Sequence, residues 1–212
     1  MTSATYLRAT GEAYDELADV YAGRFGDVAK MPPLERALLT AYGEIVCGRP
    51  PGLIADLGCG PGHVTAHLSS MGIPTFGVDL SQALLTTART REPQLRFYRG
   101  SMAATGLRDG AVAGIVAWYS LIHTPPRDVP PMVAELGRIL APGGHILLAF
   151  QAADEGATTS QPFEHKVAPA YRWPLDAIAA MLRREGMTEI ARLQREPGDG
   201  ERFKRAYVLA QR

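Results

Sequence analysis

The residue types with the clearest chemical potential lie in one short stretch, ADLGCGPGHV, at residues 55–64. Three glycines, Gly58, Gly60 and Gly62, follow an apolar run that is typical of a buried strand. Glycine weakens a strand and costs conformational entropy, so its use here indicates a turn where backbone approaches a ligand closely. Asp56 adds a carboxylate just before the turn. That acid suits a cationic group, such as an amine or a sulfonium, better than the phosphates of a dinucleotide.

A second carboxylate, Asp79, stands at the end of the next apolar run, FGVD, 21 positions beyond Gly58. A carboxylate at this place can accept hydrogen bonds from both ribose hydroxyls of an adenosine. The glycine spacing, G-x-G-x-G, differs from the G-x-G-x-x-G of a pyrophosphate-binding loop, because His63 stands where helix packing would continue. The loop and its acid therefore predict a nucleoside site with a cationic group nearby.

The elements that must position these residues alternate along the chain. Five apolar, β-rich runs are separated by helical patterns, and this order predicts βαβ units with parallel strands. Two further runs are joined by the turn-rich EPGDGE and predict an antiparallel hairpin. We therefore predict an α/β fold with a Rossmann-like, doubly wound, mostly parallel seven-stranded sheet and an antiparallel C-terminal hairpin. The predicted strand runs are 53–57, 74–79, 95–98, 112–118, 144–150, 188–195 and 205–212.

Helical patterns fall between and before the strands. Ser81 is the expected N-cap of SQALLTTARTRE, and Gly186 is expected to end a helix at 174–185. YDELADVYAGRF, residues 14–25, also predicts a helix. Apolar stripes at helical spacing comprise Val133, Leu136 and Leu140 in one helix and Leu34, Leu38, Ala41, Tyr42 and Ile45 in another.

The composition limits the class of protein. The 212 residues, 46% of them hydrophobic, suffice for one sizeable core, and no linker divides them, so we predict one domain. Lys+Arg and Asp+Glu number 22 each, which leaves no basic face for nucleic acid beyond the short RFKR stretch. Cys47 and Cys59 fit reduced thiols, and the polar N-terminus and short apolar runs fit neither a signal peptide nor a membrane span. We expect a cytoplasmic protein that does not bind a membrane, and leave its oligomeric state open.

Together the motifs resemble those of the class I S-adenosylmethionine-dependent methyltransferases, especially small bacterial members that carry DLGCGPG. The resemblance runs from AYDELADVYAGRF through GVDLS, GSM and AWYSLIHTPP to LAPGGHILLAF and the final hairpin. It implies that residues 1–212 form a single methyltransferase domain with S-adenosyl-L-methionine as cofactor. It also implies an N-terminal helical lid over 1–48, an acceptor-side insert over 151–174 and a small-molecule methyl acceptor.

The same resemblance implies which residues bind the cofactor. Asp56 and the loop glycines would hold its methionine end, Asp79 its ribose and Ser101 its adenine edge. Many relatives have an aspartate where Ser101 stands, so this contact is expected to be weaker. Core packing is an open alternative for the aromatic residues, and a surface turn is one for Ser101. The implied cofactor-binding residues are Tyr14, Tyr21, Asp56, Gly58, Cys59, Gly60, Asp79, Leu80, Ser101, Met102 and Trp118.

Methyl transfer from a sulfonium is an in-line displacement, so alignment and the exclusion of water are expected to contribute most. An acceptor that must lose a proton also needs a base. His123, in YSLIHTPP just past the fourth strand, is the leading catalytic candidate, with a role in fixing its loop as the open alternative. Tyr119 is the second catalytic candidate. His165, Tyr171 and Arg172 could reach the acceptor site.

Other chemistries are weaker interpretations of this chain. His63 and His67, four positions apart, could bind a metal on one helix face, but no third ligand lies nearby in the sequence, so no metal is predicted. A nicotinamide-dependent oxidoreductase is an alternative that the loop spacing and Asp56 oppose. A cofactor-binding module without catalysis is another, and methylation of RNA or a protein has less support. The sequence names neither the acceptor nor whether its oxygen, nitrogen, carbon or sulfur is methylated.

Overall fold

The computed structural model describes residues 3–47 and 52–212. Its α-helices are α1 (Ser3–Glu16), α2 (Ala18–Phe25), α3 (Pro33–Cys47), α4 (His63–Ser70), α5 (Gln82–Arg91), α6 (Val129–Ile139) and α7 (Leu175–Arg184). Its strands are β1 (Ile54–Leu57), β2 (Thr75–Asp79), β3 (Arg96–Arg99), β4 (Val112–Trp118), β5 (Leu140–Gln151), β6 (Gln161–Phe163), β7 (Ala170–Arg172), β8 (Thr188–Arg195) and β9 (Arg205–Gln211).

Most of the strands form a 7-stranded sheet with the order β3-β2-β1-β4-β5-β9-β8. Strands β1 to β5 run parallel, and β9 is antiparallel to both of its neighbours. Strand order reverses between β1 and β4, so the carboxyl ends of these two strands open a crevice at the edge of the sheet. The predicted doubly wound α/β fold with an antiparallel C-terminal hairpin is confirmed.

Hydrophobic layers cover both faces of the sheet. Along β5, Ile146, Leu148 and Phe150 pack on one face, while Leu147 and Ala149 pack on the other. All five are buried, as strand alternation requires in a sheet covered on both sides. A sheet packed in this way holds the carboxyl ends of its strands in fixed positions. The residues predicted to do chemistry follow those ends.

Several predicted helix signals are confirmed. The Ser81 hydroxyl caps α5 by accepting a hydrogen bond from the amide of Leu84 at 3.1 Å. Gly186 follows α7 with a φ of 78°, the left-handed conformation in which helices commonly end. Within the described ranges, every helix is too short or too polar to cross a membrane.

The helix predicted over residues 14–25 is wrong in its bounds, because Leu17 divides that segment between α1 and α2. Leu17 has a φ of −109° and a ψ of 9°, which is not helical. The break lets Ala18 and Ala22 of α2 pack on Leu84 of α5. A packing contact far along the chain therefore sets a boundary that local periodicity could not reveal.

The apolar stripe predicted for α3 is largely wrong, since the buried face is shifted by one position. Leu34 and Ile45 are 43% and 38% exposed, and Glu35 is buried instead. The Glu35 carboxylate accepts three hydrogen bonds, which offset the cost of removing it from water. Hydropathy could not predict an acid on the inner face. The buried residues of α3 are Glu35, Leu39, Tyr42, Gly43 and Val46.

Strand β5 begins earlier than predicted. Leu140, expected on the inner face of a helix, is the first residue of β5 because α6 ends at Ile139. It pairs with Val112 of β4 and is fully buried, so its apolar side chain packs in the sheet instead. The predicted insert at 151–174 also contains the short β6–β7 pair, which its polar sequence did not indicate.

Candidate functional site

The glycine loop after β1 forms one wall of a cavity at the carboxyl edge of the sheet. Gly58, Gly60 and Gly62 have φ angles of 80°, 53° and 84°, a region that side chains disfavour. A Cβ on Gly58 would lie 2.1 Å from the Cβ of Ser120, so packing requires glycine there. A Cβ on Gly60 would meet only Tyr21, at 3.7 Å. Because Gly60 and Tyr21 both line the cavity, the Gly60 backbone is open to a ligand.

Asp79, the last residue of β2, also lines the cavity. Its Oδ2 accepts a hydrogen bond from the amide of Gly60 and its Oδ1 accepts one from the amide of Ser81, each at 2.8 Å. Burial raises the pKa of Asp79, although these amide contacts oppose the shift. A carboxylate offers about four lone-pair positions, so acceptor capacity remains for a ligand. The geometry is compatible with the ribose contact predicted for Asp79.

The cavity contains about 700 Å³ of empty space, a figure that includes open solvent at its mouth. Most of the predicted site residues meet in its wall. Those that do are Tyr14, Tyr21, Gly58, Gly60, Asp79, Leu80, Ser101, Met102, Trp118, Tyr119 and His123. Lining residues that sequence reasoning missed are Tyr6, Leu7, Thr10, Leu84, Gly100, Ser120 and Thr124.

Helix α1 supplies several of the lining residues that the sequence did not predict. Tyr6, Thr10 and Tyr14 are spaced four residues apart, which places them on one face of the helix. This spacing was visible in the sequence. The predicted helix began at residue 14, however, and so left out the first two.

Two predicted cofactor-binding residues, Asp56 and Cys59, do not line the cavity, which corrects the direct contact expected of them. Asp56 is fully buried in β1, and its Oδ2 accepts a hydrogen bond from the Thr65 hydroxyl at 2.6 Å. Its Oδ1 has no hydrogen-bond partner among the described residues. Burial raises the pKa of Asp56 to about 7. Cys59 packs against Leu85 and Phe97 behind the loop.

His123 ends a short 3-10 turn, Leu121–His123, just after β4. Its Nδ1 lies 3.0 Å from the carbonyl oxygen of Pro169, and its Nε2 lies 2.9 Å from the Tyr14 hydroxyl. A carbonyl oxygen only accepts, so Nδ1 carries the proton and Tyr14 donates to Nε2. Burial lowers the pKa of His123 to about 4, so the ring is neutral near pH 7. Both ring nitrogens are committed, which favours the loop-fixing alternative over a free base.

Asp15, next to Tyr14, ties α1 to the opposite side of the cavity. Its Oδ1 accepts hydrogen bonds from the Ser81 hydroxyl at 2.6 Å and from the Ala83 amide at 2.8 Å. Ala83 lies in the first turn of α5, where amides have no partner within the helix. Adjacent residues of α1 therefore hold it to His123 on one side and to α5 on the other. Nothing in the local sequence distinguishes Asp15 from a surface acid.

The hydroxyl of Tyr119, the second catalytic candidate, is occupied by contacts with other side chains. It donates a hydrogen bond to Glu35 at 2.9 Å and lies 2.8 Å from the Tyr207 hydroxyl. Burial and the charge of Glu35 raise the pKa of Tyr119. Its φ of 55° is the only positive value of a non-glycine residue in the described ranges. The Tyr119 hydroxyl is therefore engaged in a buried cluster with Glu35 and Tyr207. The strained backbone of Tyr119 turns the chain between Trp118 and Ser120, and both of these neighbours line the cavity.

Ser101 and Trp118 each combine a structural contact with a place in the cavity wall. The Ser101 hydroxyl accepts a hydrogen bond from the amide of Ala103 at 3.1 Å, as in a turn. Trp118 is 8% exposed and its ring centroid lies 5.6 Å from that of Tyr207. At Ser101, the structure is compatible both with the predicted ligand contact and with a structural turn. At Trp118, it is compatible both with the predicted ligand contact and with core packing.

Three of the other four histidines, His63, His67 and His165, lie in two places. His63 and His67 line a different groove, and Nε2 of His67 lies 3.3 Å from the Thr40 hydroxyl. No group of three side chains that could hold a metal occurs in the described part of the chain. His165 lies near the predicted acceptor side, with its ring centroid 4.9 Å from that of His123. The predicted acceptor-side residue Arg172 instead forms a two-point ion pair with Asp154, at 2.6 and 3.0 Å.

Comparison with known proteins matches residues 54–144 to the family described as Methyltransferase domain. The chain is 36% identical over 123 residues to trans-aconitate 2-methyltransferase of Variovorax paradoxus, which covers 57% of this chain and 46% of that protein. It is 30% identical over 130 residues to malonyl-[acyl-carrier protein] O-methyltransferase of Erwinia billingiae, which covers 59% of this chain and 51% of that protein. The chain thus spans about half the length of these curated relatives.

The fold is shared with a solved structure, that of 1,6-didemethyltoxoflavin-N1-methyltransferase from Burkholderia thailandensis with bound 1,6-didemethyltoxoflavin and S-adenosylhomocysteine. The TM-score is 0.75 at 17% sequence identity, and the match covers 100% of this chain and 90% of that chain. At this identity, the likeness establishes the fold alone.

Proposed function

We propose that this chain is a class I S-adenosylmethionine-dependent methyltransferase and that it transfers a methyl group from S-adenosylmethionine to a small-molecule acceptor. The observation that carries the proposal is the pairing of Gly60 with Asp79 in one cavity wall. Gly60 leaves its backbone open to a ligand, and its amide holds the Asp79 carboxylate at the same edge of the sheet. This pairing suits a nucleoside whose ribose meets an acid beside a close backbone approach.

The residues present fit this cofactor. Asp79 has acceptor capacity for the ribose hydroxyls, and Leu80 and Met102 supply apolar surface for the adenine. The open backbone at Gly60 would face the methionine end. When bound, S-adenosylmethionine supplies an electrophilic methyl group on a sulfonium.

Helix α1 has the position of a lid. Tyr14 bonds His123 across the cavity, and Asp15 bonds the start of α5. We propose that α1 excludes water and that His123 orients Tyr14 toward the acceptor rather than taking a proton from it. Such positioning accounts for much of the rate enhancement in a displacement of this kind. The lid region at 1–48 and the insert at 151–174 remain proposed parts of the domain.

The acceptor is proposed to be small. The space left for it lies between α1 and the turn after β4, and Tyr6, Thr10 and His123 line it. The curated relatives are named for trans-aconitate and for malonyl-[acyl-carrier protein], and each of these carries a free carboxylate. Because the matches cover about half of those proteins, their substrates guide the choice of acceptors to test.

Methyl-labelled S-adenosylmethionine tests the proposal. Incubated with the protein and a cell extract, it should label a small metabolite, which mass spectrometry then identifies. A Gly60→Val variant, which we expect to fold without binding the cofactor, is the matched control. Binding of NADH with no binding of S-adenosylmethionine would favour the oxidoreductase alternative. Cofactor binding without any labelled product would favour a non-catalytic module.

A further inference from the structure

Glu35 is a buried acid that joins distant segments of the chain. It lies in the first turn of α3 and is 4% exposed. Its Oε1 accepts hydrogen bonds from the hydroxyl of Tyr119 at 2.9 Å and from the hydroxyl of Tyr207 at 2.7 Å. Nη2 of Arg195 donates a third, at 2.6 Å. One carboxylate oxygen of α3 is therefore bound to the turn after β4, to β9 and to β8.

Tyr119 is the one of these three partners that lines the cavity. Its φ of 55° is a conformation that side chains disfavour, so contacts must hold it there. The Tyr119 amide donates to the carbonyl oxygen of Ala149 at 2.9 Å, and the hydroxyl is held at its far end by Glu35. Hydrogen bonds to a charged acceptor are about twice as strong as those between neutral groups. Glu35 thus helps to stabilise the left-handed backbone of Tyr119.

The backbone of Tyr119 sets the position of both of its neighbours in the cavity wall. The ring of Trp118 lies edge-on to that of Tyr119, with the centroids 5.6 Å apart. On the other side, the Ser120 hydroxyl donates to the carbonyl oxygen of Leu57 at 2.6 Å. Ser120 also packs directly on the glycine loop, since a Cβ on Gly58 would lie 2.1 Å from its own Cβ. A change of Tyr119 to a negative φ would therefore move this segment relative to the loop.

Stability alone does not account for the buried acid. A buried ion pair can often be replaced by apolar side chains at little cost, because removing its charges from water is expensive. Without Glu35, Arg195 would still be paired, since its Nη2 also donates to Glu201 at 2.8 Å. The hydroxyls of Tyr119 and Tyr207 lie 2.8 Å apart and could bond each other, as neutral groups. What the acid adds is the stronger, directed contact with Tyr119.

We propose that Glu35 is a positioning residue of the cofactor site, and this inference rests on the proposed methyltransferase function. Through its hydrogen bond to Tyr119, Glu35 holds residues 118–120 in the conformation that binds S-adenosylmethionine. Without that bond, the segment adopts other backbone conformations, and the cofactor must restore the left-handed one when it binds. The cost of this restoration is lost affinity. Arg195 and Tyr207 orient the carboxylate from behind the wall.

Calorimetric titration of the full chain with S-adenosylmethionine tests the inference. Glu35→Met and Tyr119→Phe should each raise Kd about 5- to 30-fold, the cost of restoring a left-handed backbone on binding. Both changes remove the same hydrogen bond, so the double variant should lose no more than the weaker-binding single variant. Glu35→Gln keeps a carbonyl oxygen that can accept from Tyr119 and should bind within about threefold of the wild type.

Tyr207→Phe is the matched control. It removes a hydroxyl that donates to the same oxygen of Glu35, but Tyr207 does not line the cavity, and Tyr119 keeps its bond to the acid. Its Kd should stay within about threefold of the wild-type value. A difference between the two Tyr→Phe variants therefore reports the position of the wall, since each removes one hydroxyl from the same cluster.

Tryptophan fluorescence gives a second readout that a purely structural role would not move. The chain has two tryptophans, Trp118 and Trp173, so Trp173→Phe leaves Trp118 as the single emitter. In that background, Glu35→Met and Tyr119→Phe should shift the emission maximum of the cofactor-free protein. Saturating S-adenosylmethionine should bring the maximum to that of the saturated parent, because binding restores the wall.

Tight binding by Tyr119→Phe, equal to that of Tyr207→Phe, would overturn the inference and leave the methyltransferase function intact. Additive losses in the double variant would also overturn it, because Glu35 and Tyr119 would then act independently. If Glu35→Met does not fold, Glu35→Gln and the two Tyr→Phe variants decide the question. If the folded wild type does not bind S-adenosylmethionine, the proposed function fails and the inference fails with it.

Discussion

The hydroxyl of Tyr14 lies 2.9 Å from Nε2 of His123 and joins α1 to the turn after β4. The opposite nitrogen of the ring is bound to the carbonyl oxygen of Pro169, so the direction of the Tyr14 hydrogen bond is fixed. This relationship holds His123 in one neutral tautomer. It also makes α1 part of the cavity wall.

His123 should not titrate in the usual histidine range. Its pKa is lowered to about 4 by burial, so the neutral ring is present above that pH and is lost only below it. The NMR shifts of its ring protons should therefore stay constant between about pH 5.5 and 8, since an ordinary histidine titrates near 6.5. A rise in turnover centred near pH 6.5 that disappears in His123→Asn would contradict this assignment and restore His123 as a general base.

Asp15→Ala should weaken cofactor binding through the lid. The change removes the acceptor of two hydrogen bonds at the start of α5, each typically contributing about 0.5–1.5 kcal/mol. Calorimetry should show an affinity for S-adenosylmethionine lower by about 5- to 150-fold. Glu16→Ala alters the exposed neighbouring acid and should bind as the wild type does. Equal affinities for the two variants would show that the tether does not matter for binding.

Gly58 and Gly60 should respond differently to added side chains. At Gly58, a Cβ would lie 2.1 Å from the Cβ of Ser120, so Gly58→Ala should greatly reduce the free energy of unfolding. At Gly60, the side chain would enter the cavity, so Gly60→Val should abolish cofactor binding while the domain stays folded, despite a φ of 53°. Circular dichroism and calorimetry on both variants check this. Unfolding of Gly60→Val would show that its role is structural.

Asp79→Ala should weaken S-adenosylmethionine binding about 10- to 100-fold, because hydrogen bonds to a charged acceptor typically contribute about 1.5–3 kcal/mol. The loss should exceed that of Asp79→Asn, which keeps one carbonyl oxygen for the amide of Gly60 or Ser81. Calorimetry measures both variants. An unchanged dissociation constant in a folded Asp79→Ala protein would remove this residue from the site.

The parts of the site that follow local rules could be predicted from the sequence. The loop needs glycine because its backbone is left-handed, and Asp79 follows from the end of an apolar strand. Glu35 and Asp15 could not be found in this way. Glu35 pairs with Arg195, 160 positions away, and Asp15 with Ser81, 66 positions away. Periodicity carries no information about such partners.

Asp56 is a residue for which a local rule predicted a ligand contact that the structure does not show. Its place beside the glycine loop predicted a contact with a cationic ligand, but the side chain faces inward and bonds Thr65. The position at a strand end was predicted correctly, while the direction of the side chain depends on how β1 packs between its neighbours. The alternation of strand faces continues up to the last residues, so an acid at the end of a strand need not face the crevice.

The buried Asp56 should make the free energy of unfolding depend on pH. Its pKa is about 7 in the folded protein and about 3.9 when unfolded, so the native state retains a proton that the unfolded chain releases. Stability should therefore fall as pH rises from about 4 to 7, by about 4 kcal/mol at most. Urea unfolding without cofactor should show a flatter pH dependence for Asp56→Asn, whereas Asp199→Asn, at an exposed site, should follow the wild type. Parallel curves for all three proteins would contradict the raised pKa.

Calorimetric titration with S-adenosylmethionine is the most direct test of the central claim that the cavity holding Gly60 and Asp79 is a methyl-donor site. We predict saturable binding with one site per chain, loss of binding in Gly60→Val, and no comparable binding of NADH. Absence of binding to the folded wild-type protein, or equal binding by wild type and Gly60→Val, would contradict it.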